Sequence, residues 1–317
     1  MSVINFSLLR KTNTLVVLVI ITVLLSTLST YATAKTMNSG ILITAKTVKQ
    51  LLKTKPASFV IVDLREPNKY KKSHIPSAIN IPISQFHRKI DDIENFVITP
   101  LNFQRLASKH GIENHHQLIF YTDEELFNST RAFWIFDFYG HQQISVLNGG
   151  FQKWQQHNYL IENKVNTLPP SNYKVSPMSK QLATKLNTKL AVLSKNKQII
   201  DVRKKQEYLG KESKGKRFGH IPYADNLPWI KLVTKADQPY TLIAHSKLND
   251  AIENIYSKQS SVIIYCNGGT ESSLLYFALK LVGIESSLYD GSWHEWSADK
   301  TLPIVNPSSI VFSRKSE

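Results

Sequence analysis

The sequence predicts an α/β protein with two tandem domains, each a parallel β-sheet flanked by helices. Two observations lead to this prediction. Short apolar segments alternate with segments in which apolar residues recur at helical spacing, and this alternation is typical of parallel β-α-β units. The same series of motifs also occurs twice in the same order, which indicates an internal duplication. A chain of 317 residues is long enough for two such domains.

Each copy is predicted to begin with a buried strand that ends in an Asp-x-Arg motif. The two segments are Phe59–Arg65 and Gln198–Arg203. A His-Ile-Pro motif follows each of them, at His74 and at His220. Because these polar residues recur in both copies, we expect them to serve the scaffold. For Arg203 a second interpretation stays open, in which its side chain reaches a functional loop.

Each copy continues with a second apolar strand and a helix. The strands are Leu118–Tyr121 and Val262–Tyr265, and the helices end near Gly140 and Gly283. In the second copy the apolar residues after the strand have helical spacing, so one face of that helix is expected to be apolar. Both copies then close with a strand and a glycine turn before a tryptophan. The closing segments are Val146–Trp154 and Leu288–Trp296.

These patterns divide the chain into five segments. The stretch between the two copies contains Pro169 and Pro170 and has no clear periodicity, so we interpret it as a linker with room for one short helix at its end. The predicted segments are a signal peptide at 1–34, an N-terminal domain at 41–160, a linker at 161–190, a C-terminal domain at 191–305 and a tail at 306–317.

The first 34 residues have the three parts of a secretory signal. Arg10 and Lys11 precede an apolar run at 15–25, and a small-x-small motif ends at Ala34. The run is short for a bilayer span, which needs about 20 residues. We therefore predict cleavage after Ala34 and export, with the periplasm as the expected compartment. Contact with a membrane is expected only if this segment remains uncleaved as an anchor.

Composition limits the classes of partner and cofactor. The formal net charge of +15 favours encounters with anions, but the lysines are scattered and no arginine-rich helix is present, so nucleic acid is not expected as a partner. The single cysteine cannot form an internal disulfide. The ten histidines form no helix-spaced pair for a metal, so we expect neither a metal nor another cofactor. We expect a monomer.

The single cysteine, Cys266, lies between the apolar strand and the next helix, in the segment YCNGGTESS. Gly268 and Gly269 allow this turn to curl so that several backbone N–H groups point inward. Such a turn, at the positive end of a helix dipole, would lower the pKa of the thiol and favour nucleophilic chemistry. The alternative is a small buried core residue, which is the usual environment of a free cysteine.

Together, the paired copies, the Asp-x-Arg and His-Ile-Pro motifs, the cysteine loop and the closing Tyr-Asp-Gly-Ser-Trp resemble the tandem-domain rhodaneses, the thiosulfate and 3-mercaptopyruvate sulfurtransferases. The resemblance covers about 41–303. It implies two rhodanese-like domains and a ping-pong reaction in which Cys266 takes a sulfur from a small anionic donor as a persulfide. Cyanide or a thiol would then accept the sulfur. The resemblance also implies that the loop binds substrate through Asn267, Gly268, Gly269, Thr270 and Glu271.

The first copy lacks the nucleophile. Thr122 stands where Cys266 stands, and an acidic segment replaces the glycine loop. The second copy instead has a basic insertion before His220, which includes Lys216 and Arg217. This insertion is either a solvated loop or a guide for the anionic substrate. We name Arg203, Lys216 and Arg217 as candidate substrate-binding residues.

The loop departs from both known classes of the resembled family. Thiosulfate enzymes resemble Cys-Arg-Lys-Gly-Val-Thr and mercaptopyruvate enzymes Cys-Gly-Ser-Gly-Val-Thr, whereas here the loop reads Cys-Asn-Gly-Gly-Thr-Glu. The arginine that lies six positions after the aspartate in the animal enzymes corresponds to Glu207. The sequence therefore leaves the donor open between thiosulfate and 3-mercaptopyruvate.

Two other functions fit the scaffold. A cysteine phosphatase would need an arginine six positions after the cysteine to hold the phosphoryl group through two hydrogen bonds, and that position is Ser272. A binding module without turnover would keep the fold but would not need Cys266 in a glycine loop. Both remain alternatives to the sulfurtransferase.

Overall fold

The computed structural model describes residues 40–54, 59–123, 125–234, 239–256 and 261–309. The predicted signal peptide at 1–34 lies outside these residues. Across the described ranges, every helix is too short or too polar to cross a membrane.

The first copy folds as a parallel sheet flanked by helices. Its elements are β1 (Leu42–Ile43), α1 (Ala45–Thr54), β2 (Phe59–Asp63), α2 (Pro67–Lys72), β3 (Ile79–Asn80), β4 (His87–Ile90), β5 (Ile93–Val97), α3 (Pro100–Lys109), β6 (Gln117–Tyr121), α4 (Phe127–Phe138), β7 (Ile144–Leu147) and α5 (Gly150–Gln156). The sheet order is β1-β7-β6-β2-β3, and every pairing in it is parallel. Strands β4 and β5 form a separate antiparallel hairpin.

The second copy repeats this architecture. Its elements are β8 (Leu182–Ala183), α6 (Lys185–Ser194), β9 (Lys197–Asp201), α7 (Lys205–Tyr208), β10 (Ala224–Asn226), α8 (His245–Glu253), β11 (Ser261–Tyr265), α9 (Thr270–Leu281), β12 (Ser286–Tyr289) and α10 (Ser292–Ala298). The sheet order is β10-β9-β11-β12-β8, and every pairing is parallel. Read from β3, the first sheet has the same order, so the predicted α/β class and duplication are confirmed.

The second sheet begins earlier than the sequence patterns indicate. Strand β8 pairs with β12 within the segment expected to be a linker. The next helix, α6, begins with a capping box in which Thr184 and Asn187 exchange hydrogen bonds. The predicted boundary between 190 and 191 therefore falls inside this helix.

Burial on both faces of the sheets explains why their central strands are almost continuously apolar. In β2, Val60 and Val62 face a hydrophobic cluster that is shared by the two copies, whereas Phe59 and Ile61 face a second cluster within the first copy. This alternation follows from the two-residue period of a strand. The shared cluster contains residues of both sheets, so the copies pack on a common core.

Helices α4 and α9 lie at the centre of that shared core. Phe133 of α4 packs edge-to-face against Phe277 of α9, with ring centroids 4.9 Å apart. All residues from Ser272 to Leu279 are buried, so the prediction of one apolar face for this helix is incomplete. The helix is buried all round because its own sheet covers one side and the other copy covers the second.

Candidate active site

The Cys266 side chain lies at the carboxyl end of the central strand β11, directly before helix α9. This is the edge at which parallel sheets bind ligands. The residue is fully buried, and its Sγ accepts a hydrogen bond from the backbone N–H of Gly269 at 3.1 Å. Ser272, in the first turn of α9, lies beside the sulfur, and its backbone N–H favours the ionised form of the thiol. The loop therefore turns N–H groups toward the sulfur.

The ionisation of Cys266 differs from the sequence-based expectation. Burial, followed by the charge of Glu271, raises the pKa of the thiol to about 12. Ser272 acts in the opposite direction, but its effect is smaller. The prediction of a lowered pKa is thus wrong for this arrangement, because complete removal of the sulfur from water outweighs the hydrogen bonds that it accepts.

The glycines of the loop allow a close approach on both sides. Gly269 has φ +83° and immediately precedes Thr270, the first residue of α9. A Cβ added at Gly268 would lie only 3.2 Å from Nδ1 of His294. The loop therefore needs glycine at 269 for its backbone conformation and a small residue at 268 for the space beside His294.

The closing segment of the second copy holds the loop through backbone hydrogen bonds. The N–H groups of Trp293 and His294 donate to the carbonyls of Cys266 and Asn267 at 3.0 and 2.9 Å. The Cys266 N–H donates to Ser292 Oγ at 3.2 Å. The closing segment, which recurs in both copies, thus fixes the backbone that carries Cys266.

Two acidic side chains lie next to the loop. Asn267 donates from Nδ2 to Oε1 of Glu207 at 2.9 Å, and Glu207 is itself buried. Glu271 lies near the sulfur, as its effect on the thiol shows. Both carboxylates also act on His294, whose pKa is lowered chiefly by burial. The surroundings of the nucleophile are therefore less positive than the basic sequence suggests.

Among the predicted basic residues, Arg203 is a buried partner of the scaffold. Its Nε and Nη2 donate to the carboxylate of Asp201, and its guanidinium lies 4.4 Å from the ring centroid of Trp293. Its Nη1 has no hydrogen-bond partner among the described residues. In the first copy the corresponding Nη1 of Arg65 donates to Asp123, which stands at the position of Asn267. Arg203 thus retains a donor without a partner, whereas the same donor of Arg65 is used on the loop of the first copy.

The basic insertion that contains Arg217 and Lys216 is tied to the closing segment of the second copy, and substrate binding by Lys216 stays a prediction. The guanidinium of Arg217 donates to four backbone carbonyls, those of Trp296, Ser297, Asp299 and Leu302. We assign Arg217 a structural role, because these bonds tie the insertion to α10. The backbone N–H of Lys216 donates to Ser297 Oγ, and its charge acts on Asp92 in the hairpin of the first copy.

The first copy also contributes residues that sequence reasoning missed. Arg131 of α4 donates to the carbonyl of Gly269 and forms a buried ion pair with Asp290, which follows β12. Asn95, from the β4–β5 hairpin, lies beside Gly268. Neither the repeat nor the local motifs indicate these contacts, because they depend on how the two copies pack.

The corresponding loop of the first copy keeps the backbone pattern without the nucleophile. The N–H of Phe151 donates to the Thr122 carbonyl at 2.7 Å, as Trp293 does to Cys266. A cavity of about 310 Å³ lies beside Thr122 and is lined in part by Arg65, Lys69 and Asp123. Within the described ranges, no group of three or more His, Cys, Asp or Glu side chains is placed to hold a metal ion.

Comparison with known proteins agrees with this architecture. The rhodanese-like domain family matches the chain twice, at residues 44–157 and 180–299. The 3-mercaptopyruvate sulfurtransferase of Escherichia coli (strain K12) is 26% identical over 264 residues, which cover 80% of this chain and 91% of that protein. The sulfur carrier protein TtuD of Thermus thermophilus is 30% identical over 252 residues, which cover 74% of this chain and 86% of that protein.

Solved structures show the same fold. The crystal structure of SseA from Escherichia coli, a protein of the 3-mercaptopyruvate class, superposes with a TM-score of 0.70 at 25% identity and covers 80% of this chain and 98% of its own. Tum1 from Saccharomyces cerevisiae gives a TM-score of 0.73 at 24% identity, covering 84% of this chain and 98% of its own. With two matched domains, each a parallel sheet flanked by helices, the chain belongs to the rhodanese-like domain family, and its homologues include sulfurtransferases.

Proposed function

We propose that the chain is a sulfurtransferase that carries sulfur as a persulfide on Cys266. One observation carries this proposal: the only cysteine of the chain lies at the strand-to-helix turn, with the N–H of Gly269 on its sulfur, while the other copy has Thr122 at that position. A scaffold role alone does not explain this difference, since the closing segment of each copy holds its loop through equivalent backbone hydrogen bonds.

The reaction has two nucleophilic displacements. The Cys266 thiolate attacks the outer sulfur of the donor, forms an S–S bond, and releases sulfite from thiosulfate or the enolate of pyruvate from 3-mercaptopyruvate. Cyanide or a thiolate then attacks the outer sulfur of the persulfide and regenerates the Cys266 thiolate. The N–H groups of the loop stabilise the sulfur anion in both steps. Because the thiol has a raised pKa, its proton must leave as the donor binds.

The charges around the loop favour a donor with little negative charge near the transferred sulfur. Glu207 and Glu271 lie beside the loop, and no lysine follows Cys266 as in the thiosulfate class. Thiosulfate places two negative charges on a small ion, whereas 3-mercaptopyruvate carries its carboxylate away from the sulfur. We therefore favour 3-mercaptopyruvate, with the unused N–H of Arg203 as the candidate donor to its carboxylate.

The test is to incubate the protein with each donor and measure its intact mass, and then to add cyanide and measure thiocyanate. We expect a gain of one sulfur atom, faster with 3-mercaptopyruvate, and no gain in Cys266→Ser. Hydrolysis of an aryl phosphate would support the phosphatase, which position Ser272 disfavours. A folded protein that neither gains sulfur nor hydrolyses the ester would be a binding module.

We also propose that the protein is exported after cleavage behind Ala34 and acts as a monomer. The charged start, the apolar run at 15–25 and the Ala-x-Ala motif support export. N-terminal sequencing of the protein recovered from a periplasmic fraction would test the cleavage, and a full-length protein in the membrane fraction would contradict it. Light scattering during gel filtration would test the monomer, which is at most 36.1 kDa.

A further inference from the structure

Arg131 is a fully buried charged residue of the copy that has no nucleophile. Its Nη2 donates to Asp290 Oδ1 at 2.6 Å and to the carbonyl of Asn95 at 2.7 Å. Its guanidinium also lies 4.6 Å from the ring centroid of Trp134. Burying an ion pair costs desolvation free energy that an apolar pair would avoid. This side chain therefore calls for an explanation beyond the stability of the core.

The guanidinium of Arg131 reaches the residue that contacts the nucleophile. Its Nη1 donates to the carbonyl of Gly269 at 3.4 Å, and the N–H of Gly269 donates to Cys266 Sγ at 3.1 Å. A Cβ on Gly269 would lie 2.9 Å from that Nη1 and 3.0 Å from the carbonyl oxygen of Asp290. Gly269 is thus enclosed by the ion pair on one side while it donates to the sulfur on the other.

The second oxygen of Asp290 extends the connection into the first copy. Oδ2 accepts a hydrogen bond from the N–H of Val97, in strand β5, at 2.9 Å. Nε of Arg131 points to Nε2 of His87, in strand β4, at 3.5 Å. Burial, with the nearby Arg131, lowers the pKa of His87 to about 3, so this imidazole is neutral and can accept. The hairpin, the ion pair and the Cys266 loop form one connected unit.

The equivalent position next to the Thr122 loop of the first copy provides an internal comparison for the Arg131–Asp290 pair. Asn148 directly follows β7 as Asp290 directly follows β12, and its Oδ1 accepts a hydrogen bond from the N–H of Leu242 at 3.1 Å. In each copy, the residue after the closing strand therefore accepts a hydrogen bond from a backbone N–H of the other copy. At the helix position that corresponds to Arg131, however, the second copy has Leu274. The charged pair occurs at the loop that has the nucleophile, and the Thr122 side has a neutral amide and a leucine.

We propose that Arg131 and Asp290 are positioning residues for Cys266, through which the copy without a nucleophile fixes Gly269 and directs its N–H at the sulfur. Their effect on sulfur transfer rests on the function proposed above, but their effect on Gly269 does not. Arg131 fixes the carbonyl side of Gly269, and this limits rotation of a residue that glycine would otherwise leave free. In catalysis, a small displacement of a donor from a developing charge has a large cost.

The experiment compares Arg131→Met, Asp290→Asn and their double variant with Arg131→Lys as the conservative replacement. Asn148→Ala, which removes the equivalent contact on the other side, is the matched control. Two quantities are measured: hydrogen exchange of the Gly269 amide by NMR, and the rate of persulfide formation with its dependence on donor concentration. The global free energy of unfolding is measured for each variant, so that local and global effects are separated.

We expect the Gly269 amide to lose protection selectively in Arg131→Met and Asp290→Asn. The maximal rate of persulfide formation should fall roughly 10- to 100-fold, while the donor concentration at half-maximal rate changes little. Arg131→Lys should recover part of the rate, and Asn148→Ala should leave both readouts as in the wild type. Arg131→Met leaves the carboxylate of Asp290 buried without a partner charge, so this variant can fail to fold. In that case the double variant, which removes both charges, and Asp290→Asn, which keeps an oxygen opposite Arg131, provide the test.

The proposal is overturned if the folded variants keep the Gly269 protection and the persulfide rate of the wild type. It is also overturned if Asn148→Ala reduces them as strongly, because the effect would then be one of general packing. If the wild type forms no persulfide from either donor, the proposed function fails, and the exchange of the Gly269 amide alone decides the positioning role.

Discussion

At the scale of single residues, the protonation of Cys266 is the property that most affects reactivity. Its sulfur is fully buried, and its pKa is raised to about 12 although it accepts hydrogen bonds from the loop. The thiolate is the reactive form, so below that pKa its fraction should rise about tenfold for each pH unit. Most cysteines instead reach full ionisation somewhat above pH 8.5.

We therefore predict that alkylation of Cys266 by iodoacetamide accelerates continuously between about pH 7 and 10. Since the chain has one cysteine, intact mass reports this rate directly. The same protein in concentrated urea is the control, and its rate should level off about one pH unit above the ordinary thiol pKa of about 8.5. A plateau near neutral pH in the folded protein would mean that the loop lowers the thiol pKa after all.

The carboxylate of Glu271 is the second determinant of this pKa. Its charge raises the pKa of Cys266, so Glu271→Gln should lower that pKa and enlarge the thiolate fraction. We predict faster alkylation at pH 8, by roughly 3- to 10-fold, which corresponds to a shift of up to about one pKa unit. Glu285→Gln, an exposed change of the same charge before β12, should leave the rate unaltered.

At the scale of elements, the turn between β11 and α9 depends on a glycine with a left-handed conformation. Gly269 has φ +83°, and a Cβ there would contact Arg131 and Asp290 at 2.9 to 3.1 Å. We predict that Gly269→Ala lowers the free energy of unfolding by about 1–3 kcal/mol and slows persulfide formation. Gly40→Ala is the control, because a Cβ at that position meets nothing within 4 Å. Urea denaturation measures both, and equal stabilities would contradict the prediction.

The elements were predictable from sequence where the relevant interactions are local. The strands ending at Asp63 and Asp201, and the loop at Cys266, follow from apolar runs and turn residues, and the structure has them at these places. The short strand β8 was not predictable, because two residues carry no periodicity and are ordered by pairing with β12.

The environment of the site was less predictable, because it depends on contacts between residues that are far apart in the sequence. The sequence shows that Cys266 is separated by one residue from two glycines, but not that the other copy covers the loop. The contact of Arg131 with Gly269 joins residues that are 138 positions apart. The depth of burial, which decides the direction of the thiol pKa, also depends on this packing rather than on the local motif.

At the scale of the whole molecule, the two copies share one core, and this explains how a copy without a nucleophile can affect the loop of the other. Helices α4 and α9 form much of the contact, which includes the hydrogen bond between Thr130 and Ser273 at 3.0 Å. Their fully buried faces would be exposed if the copies separated. The copies should therefore unfold together, as one cooperative unit.

Phe133→Ala tests this cooperativity. The Phe133 ring packs edge-to-face on Phe277 of the other copy, so its removal leaves a cavity between the copies. We predict a loss of about 3–5 kcal/mol in the free energy of unfolding. In hydrogen exchange, the slowest amides of β2 and of β11 should lose protection equally. Phe218→Ala is the control, since that ring is 50% exposed and its removal should change stability little. Loss of protection in the first copy alone would show that the copies are independent folding units, and it would also weaken the case that Arg131 acts on the Cys266 loop through a rigid contact.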